Sequence, residues 1–253
     1  MFSAADLYAR GAQTLVASWE AYAGGADAAL VVRSPGVAAA VFPRGPARAV
    51  YNNALLDRDL GHAERAAALD AMEAAYASAG VTRFAAWVHE SDEPLRSAVV
   101  ARGYVLDTAT RAMGIALEDL RLPRPDIDAE PADLLTHARV GELPAGLLDN
   151  VAGRRFHALV ARLDGEAVST GIAFDTAGDC GIYNVGTRAH ARRRGLGSAV
   201  SARLAHDAAG RGCQTASLQA TEMAERVYAA IGFRDLGRIL EFVPGATSGP
   251  RSA

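Results

Sequence analysis

The residues of this chain with the clearest chemical use lie in one stretch, Val185-Gly186-Thr187 followed by Arg192-Arg193-Arg194-Gly195-Leu196-Gly197-Ser198. Upstream, Ile182, Tyr183, Asn184 and Val185 have the β-branched and aromatic bias of a strand. Downstream, Leu196, Val200, Leu204 and Ala208 recur every fourth residue, as on the packed face of a helix. The glycines therefore sit where a strand turns into a helix. At such a junction the first backbone N–H groups of the helix have no partner within it, and the aligned peptide dipoles favour negative charge by roughly 0.3–1 kcal/mol. Gly195 and Gly197 let a ligand approach that backbone closely, and three consecutive arginines add forked donors suited to phosphate oxygens. The stretch reads as an anion cradle.

Two common phosphate loops do not fit it. No Gly-Lys-Ser/Thr follows, as a Walker loop requires, and the pattern Arg-x-x-Gly-x-Gly is not the three-glycine dinucleotide fingerprint. Arg192-x-x-Gly195-x-Gly197, preceded by Val185-Gly186-Thr187, instead resembles the coenzyme A pyrophosphate loop of the GCN5-related N-acetyltransferase (GNAT) family. A second stretch supports the resemblance, where Leu218-Gln219-Ala220-Thr221 precedes Ala224, Tyr228 and Gly232-Phe233. The resemblance implies acetyl-CoA as cofactor, with the backbone of Arg193, Arg194, Gly195, Leu196, Gly197 and Ser198 on the pyrophosphate and Arg192 and its neighbours as side-chain donors. It implies that Val185 and Thr187 pair like an added strand with the pantetheine amides, and that a backbone N–H near Val185 polarises the thioester carbonyl. Tyr228 matches the family's tyrosine that protonates the departing thiolate after direct attack by an amine. Thr221 stands where the family often has asparagine or serine near the cofactor arm, and Ala189 where it often has proline. The implied activity is N-acetylation of a primary amine of a small molecule or peptide, by direct transfer in a ternary complex. The alternative is an acyl-CoA sensor or interaction module that keeps the cradle and uses Tyr228 for packing.

A base must take a proton from an ammonium substrate. Glu222, Asp179, Glu241 and His157 are the candidates by position, with a chain of waters as the alternative. The six histidines form no His-x-x-x-His pair, so no metal is expected. A net charge of −3 and an arginine run without interleaved aromatics argue against nucleic acid or an anionic membrane as partner. There is no apolar run of ~18 residues and no signal-peptide pattern at the N-terminus, so a cytoplasmic protein, monomer or homodimer, is expected. Cys180 and Cys213 form no Cys-x-x-Cys pair and read as core thiols.

The elements that must position the cradle follow from periodicity. A helix is expected over 4–22, with Leu7, Leu15, Val16 and Trp19 at helical spacing. A hairpin follows over 29–33 and 37–42 about Ser34-Pro35-Gly36, then a strand over 49–53, a helix over 63–79, a strand over 84–89, a short helix carrying Leu95 and Val99, and a strand over 111–117. Residues 122–131 hold three prolines and read as a linker. Beyond it the order repeats: a helical segment, strands over 157–163, 167–174 and 181–185, the cradle and its helix, and strands over 216–220 and 239–243. Val227 and Ile231 read as the buried stripe of the helix between those last two strands, with Tyr228 off it. Tyr51-Asn52 and Tyr183-Asn184 are 183 minus 51, or 132, positions apart, as are Gly80 and Gly212. The expected fold is therefore α/β, an α+β mixed sheet. It comprises two GNAT-like units in tandem, each a mostly antiparallel mixed sheet flanked by helices, with domains at 1–121 and 132–253 and the linker at 122–131. In that registration Arg192, Gly195 and Gly197 fall on Leu60, Ala63 and Arg65; a loop difference then brings Gly232-Phe233 onto Gly103-Tyr104, 129 positions apart, and Tyr228 onto Val99. Glu64 would add negative charge where a pyrophosphate must sit, so the first half is expected to keep the scaffold without the cofactor. Its Trp19, Trp87 and His89 are candidates for lining an acceptor pocket.

Overall fold

The computed structural model describes residues 1–45, 51–144, 148, 150–151 and 155–245. The chain runs α1 (Ala4–Ala23), β1 (Leu30–Ser34), β2 (Val37–Val41), β3 (Asn53–Leu56), α2 (His62–Ser78), β4 (Ala85–His89), α3 (Glu93–Ala101) and β5 (Tyr104–Ala116). It continues through β6 (Ala129–Ala132), α4 (Leu134–Val140), β7 (Phe156–Leu163), β8 (Glu166–Thr176), β9 (Asp179–Thr187), α5 (Leu196–Gly210), β10 (Thr215–Ala220), α6 (Glu225–Ile231) and β11 (Arg234–Pro244). These form two compact units. One holds Met1–Asp27 and Thr110–Gly237, the other Ala28–Ala109 and the chain from Arg238 onward.

In the first unit the strands lie in the order β5-β10-β9-β8-β7-β6. β10 and β9 are parallel. β5 with β10, β9 with β8, β8 with β7 and β7 with β6 are antiparallel, and Ala220 stands opposite Arg111 where β10 meets β5. Side chains alternate across the sheet. Cys180, Ile182, Ala216 and Leu218 face a core with Val200, Leu204 and Ala208 of α5. Their neighbours Thr215 and Ser217 meet α1, where Arg10 Nε donates to Thr215 Oγ1 at 2.9 Å and Gly11 lies so close that an added Cβ would stand 2.8 Å from Ser217 Cβ. Tyr22 of α1 extends that packing onto Phe156 and Phe174.

The second unit orders its strands β1-β2-β3-β4-β11, with β3 and β4 parallel between antiparallel neighbours. Its core joins Val37, Val41, Leu56, Leu69, Met72, Tyr76, Val88, Leu95, Val99 and Phe242. The strands of each unit are thus mixed in direction and mostly antiparallel.

Several expectations need correction. The compact units cut across the contiguous division at 122–131. β5 follows α3 in the chain yet pairs with β10, and β11 follows α6 yet pairs with β4, so each unit is completed by a strand that follows a helix of the other. Residues 122–131 are not a free linker. Leu122, Ile127 and Ala129 pack on the first unit's core, and Arg124 pairs with Asp207 at 2.8 Å. Ala129–Ala132 is an edge strand, the place in a sheet where Pro131 can dispense with its missing N–H. The third strand begins at Asn53 rather than ending there, and Ala49 and Val50 of the expected strand lie outside the described residues. No described helix is long and apolar enough to cross a membrane.

Candidate active site

β9 and β10 run side by side only briefly. Their ladder pairs Thr215 with Asp179, Ala216 with Cys180 and Ser217 with Gly181, then ends, while β9 continues to Thr187 and β10 to Ala220. On its other side β9 stays paired with β8 but carries a bulge. The register jumps from Ile172 opposite Tyr183 to Thr170 opposite Gly186, Asn184 takes φ 50°, and Asn184 and Val185 have no opposite residue. Past the bulge, the Arg188 N–H donates to Val168 O at 2.8 Å. By the two-residue alternation of a strand, the N–H and C=O of Thr187 point away from β8, towards the edge that β10 has left. The Val185 side chain turns inward, to where a Cβ on Gly171 would crowd Val185, Val200 and Leu204 at 3.0–3.1 Å. Gly171 thus lets α5 close on the sheet.

The cradle begins where β9 ends. A single turn over Ala189–Ala191 leads to Arg192, whose Nε donates to Thr187 O at 3.0 Å and ties the loop back to the strand. Arg193 and Gly195 both take left-handed backbone, at φ 63° and 78°. Gly195 is the residue ahead of α5, and among the described residues no side chain caps that helix head. A Cβ on Gly195 would meet nothing within 4 Å, so glycine is required there by conformation rather than space. Arg192, Arg193, Arg194 and Gly195 are exposed, and Leu196, Gly197 and Ser198 are half-buried behind them. Thr187 Oγ1 lies 2.9 Å from Ser169 Oγ, which donates to Gly186 O, so the end of β9 is pinned by side chains as well as by the ladder. Uncapped helical N–H groups, an open glycine backbone and exposed guanidinium groups fit a pyrophosphate.

Tyr228 corrects one expectation. Spacing places Val227 and Ile231 on the buried stripe of α6, with Tyr228 off it. The structure instead buries Tyr228 and Ile231, three residues apart on one face, and leaves Val227 half-buried. The ring packs edge-on against Phe233 at 5.9 Å. Burial pushes the phenol pKa up, and a side-chain hydrogen-bond interaction with Ser201 of α5 offsets part of that shift. Ser201 carries one signal in the sequence, its four-residue spacing from Gly197, too weak to single it out. Its Oγ donates to Gly197 O at 2.8 Å. Thr221 is exposed at the end of β10, and its carbonyl accepts from the Ala224 N–H at 2.8 Å. Arg111, which no motif marks, bridges to Glu225 at 2.8 Å and to Asp235.

The candidate bases are dispersed. Asp179 is buried at the start of β9, and its two oxygens accept from Thr215 Oγ1 at 2.6 Å and Ser217 Oγ at 2.8 Å. His157 lies 3.4 Å from Asp175, with its pKa lowered by burial and by Arg211. Glu222 is exposed beside Thr221. Glu241, with Trp87 opposite it in the ladder, belongs to the other unit, as does His89, whereas Trp19 is buried in the first. Sequence reasoning also misses His137, fully buried on α4 with Nδ1 2.8 Å from Thr170 Oγ1. Thr170 gives its own proton to Leu159 O, so the imidazole Nδ1 is the donor, and burial pushes its pKa down to about 4. Among the described residues no group of three His, Cys, Asp or Glu could hold a metal.

The chain is similar in structure to a GCN5-related N-acetyltransferase from Kribbella flavida, with a TM-score of 0.69 and 18% identity, covering 93% of this chain and 95% of that one. It is similar to one from Sphaerobacter thermophilus at a TM-score of 0.58 and 18% identity, over 92% and 86%. A functionally unknown conserved protein from Staphylococcus epidermidis gives 0.60 and 14%, over 83% and 91%. At these identities the likeness is one of fold. No protein with a curated description matches the sequence. Residues 123–233, which carry β9, the cradle and Tyr228, match the model of the Acetyltransferase (GNAT) family.

Proposed function

We propose that the first unit binds acetyl-CoA across the head of α5 and passes the acetyl group directly to a primary amine of a small molecule or peptide. The observation that carries this reading is the parting of β9 and β10 beyond Ser217 and Gly181, which leads to an uncapped helix head at Gly195. Backbone N–H groups of Gly195, Leu196, Gly197 and Ser198 hold the pyrophosphate, with Arg193 and Arg194 as exposed donors. Arg192 serves chiefly to hold the loop on Thr187. The outward backbone of Thr187, with unpaired Val185 two residues back, takes the pantetheine amides, and Thr221 borders the arm from β10. The thioester supplies the activated acetyl group. Tyr228 gives its phenol proton to the departing sulfur, and its buried setting keeps that proton in place at neutral pH.

The second unit is read as a repeat of the first that no longer binds cofactor. Each unit has one parallel strand pair, and α3 and α6 begin at Glu93 and Glu225, 225 minus 93, or 132, apart. Where the first unit opens, the second is tied shut. The Asp59 N–H donates to Asp92 at 2.9 Å, and Glu64 Oε2 takes the Gly61 N–H at 2.7 Å at the head of α2. Calorimetric titration of the whole chain with acetyl-CoA tests both readings, with one site per chain expected and acetyl transfer to an amine panel following. No binding of any CoA ester overturns the first reading, and two equivalent sites overturn the second.

A further inference from the structure

We infer that Ser91 is a nucleophile, activated by His89 to take an acyl group from an activated ester. The site lies wholly in the second unit and does not depend on acetyl transfer in the first. There β3 and β4 run parallel, with Leu55 and Trp87 as the last pair of their ladder. Arg58 and His89 both follow that pair, at the carboxyl ends where parallel strands leave a crevice for ligands. The Ser91 backbone N–H donates to His89 Nδ1 at 3.2 Å, and an amide N–H can only donate, so Nδ1 carries the lone pair of a neutral ring. The Ser91 hydroxyl, 2.8 Å from the same nitrogen, is therefore the donor in that contact. Arg58 Nη2 donates to Ser91 Oγ at 3.1 Å, which occupies one lone pair of the oxygen and leaves the other for attack. Ser91 is exposed, whereas His89 is buried behind it.

A tight turn alone would bring the serine and the imidazole together, but it would not bring the guanidinium. Arg58 comes from the loop after β3, 33 residues earlier, and that loop is fastened to the turn by one carboxylate. Asp92 accepts the Asp59 N–H at 2.9 Å on one oxygen and the Leu95 N–H of α3 at 3.0 Å on the other. Nucleophile, base and cation are thus held in register before any substrate arrives. In the reaction Oγ attacks the ester carbonyl carbon while its proton moves to His89 Nδ1, and Arg58 offsets the negative charge that develops. The adduct collapses by breaking the bond to the leaving oxygen, which departs with the electron pair and leaves an acyl-serine. Water then attacks the acyl carbon, His89 takes the water's proton, and Oγ leaves the carbon and regains a proton.

The test uses p-nitrophenyl acetate on the full chain, which has no lysine to compete for the ester. A burst of about one p-nitrophenolate per chain is expected, with mass spectrometry placing the acetyl group on Ser91. His89→Gln should slow the burst by about 10²- to 10⁴-fold, the range of a proton-transfer residue, and Arg58→Met by about 10²- to 10³-fold, the range of an oxyanion donor. Ser91→Ala, a change at an exposed position, should abolish the burst with the thermal melt unchanged, and it decides the matter even where the loss of buried His89 weakens the fold. A burst that persists in Ser91→Ala, or acetylation of Ser91 no faster than in the urea-unfolded chain, overturns the inference. The label maps to Ser91 whether or not the first unit binds acetyl-CoA, so failure of one reading is seen apart from failure of the other.

Discussion

Gly197→Ala should make the protein more stable and a poorer binder of acetyl-CoA. Gly197 has ordinary helical backbone in the first turn of α5, and a Cβ there would stand 3.6 Å from Thr187 Oγ1, an ordinary contact. Removing glycine's freedom in the unfolded chain without strain in the folded one is worth about 0.4–1 kcal/mol. For a domain of this size that raises Tm by about 1–4 °C. The same methyl stands where a phosphate oxygen must reach the helix head. Losing one charge-assisted hydrogen bond costs about 1.5–3 kcal/mol, or about 10- to 150-fold in Kd. Gly195→Ala is the companion. Its φ of 78° makes any L side chain strained by about 1–2 kcal/mol although space is open, so stability should fall together with affinity. Thermal melts and calorimetry on the two variants separate the effects. An unchanged Kd in Gly197→Ala would remove the pyrophosphate from this helix, and a lowered Tm would mean that the first turn of α5 is not a relaxed helix.

Three further outcomes are expected. Tyr228→Phe should keep acetyl-CoA affinity and slow transfer by about 10²- to 10⁴-fold, measured in rapid-quench assays; normal turnover would leave the tyrosine a packing residue. His137 is held neutral in the folded state, with its pKa lowered from 6.5 to about 4, so the unfolded chain binds the extra proton between those values. Stability from this group is full above pH 6.5 and is lost as pH falls towards 4, by about 3 kcal/mol, which urea melts of wild type and His137→Gln should show as a shallower acid limb in the variant. A fragment starting at Asp126 should fail to fold, as followed by circular dichroism, because it lacks β5, the antiparallel neighbour of β10, and α1, which covers Thr215 and Ser217. A cooperative melt would show that these elements are dispensable.

The cradle is legible in the sequence because its signals are local: two glycines, an arginine run, a β-branched strand before and a four-residue repeat after. The parallel pair of each unit is not, since pairing leaves no local mark. The same holds for the exchange of β5 and β11. Their apolar patterns announce strands, but nothing in Arg111 or Glu241 says which neighbour each will meet. Tyr228 misleads for a different reason. A helix of seven residues has room for one buried face, and Val227 and Tyr228 both compete for it. The ring of Phe233, outside the helix, packs on the tyrosine and decides in its favour. Residues 122–131 mislead because prolines suggest a linker, whereas an edge strand accepts Pro131 and the apolar residues Leu122, Ile127 and Ala129 pack on the core.

The two helix heads, α2 and α5, solve one physical problem in opposite ways. Each begins with N–H groups that no earlier turn can satisfy. At α2 the chain supplies its own anion. Gly61 is extended, the Glu64 carboxylate returns to its N–H at 2.7 Å, and the preceding loop is fastened to Asp92. As at α5, no side chain among the described residues caps the first-turn N–H groups of α2, but the Glu64 carboxylate puts a negative charge of the chain's own at that head, which a phosphate would have to approach. At α5 no carboxylate returns. Gly195 turns left-handed, the arginines beside it are exposed, and the loop is fixed instead by Arg192 on Thr187 O. The N–H groups are thus held in place but left for an anion from outside. A rigid, unsatisfied head binds with little ordering cost, and the same feature makes α5 rather than α2 the place where ligand binding should raise stability.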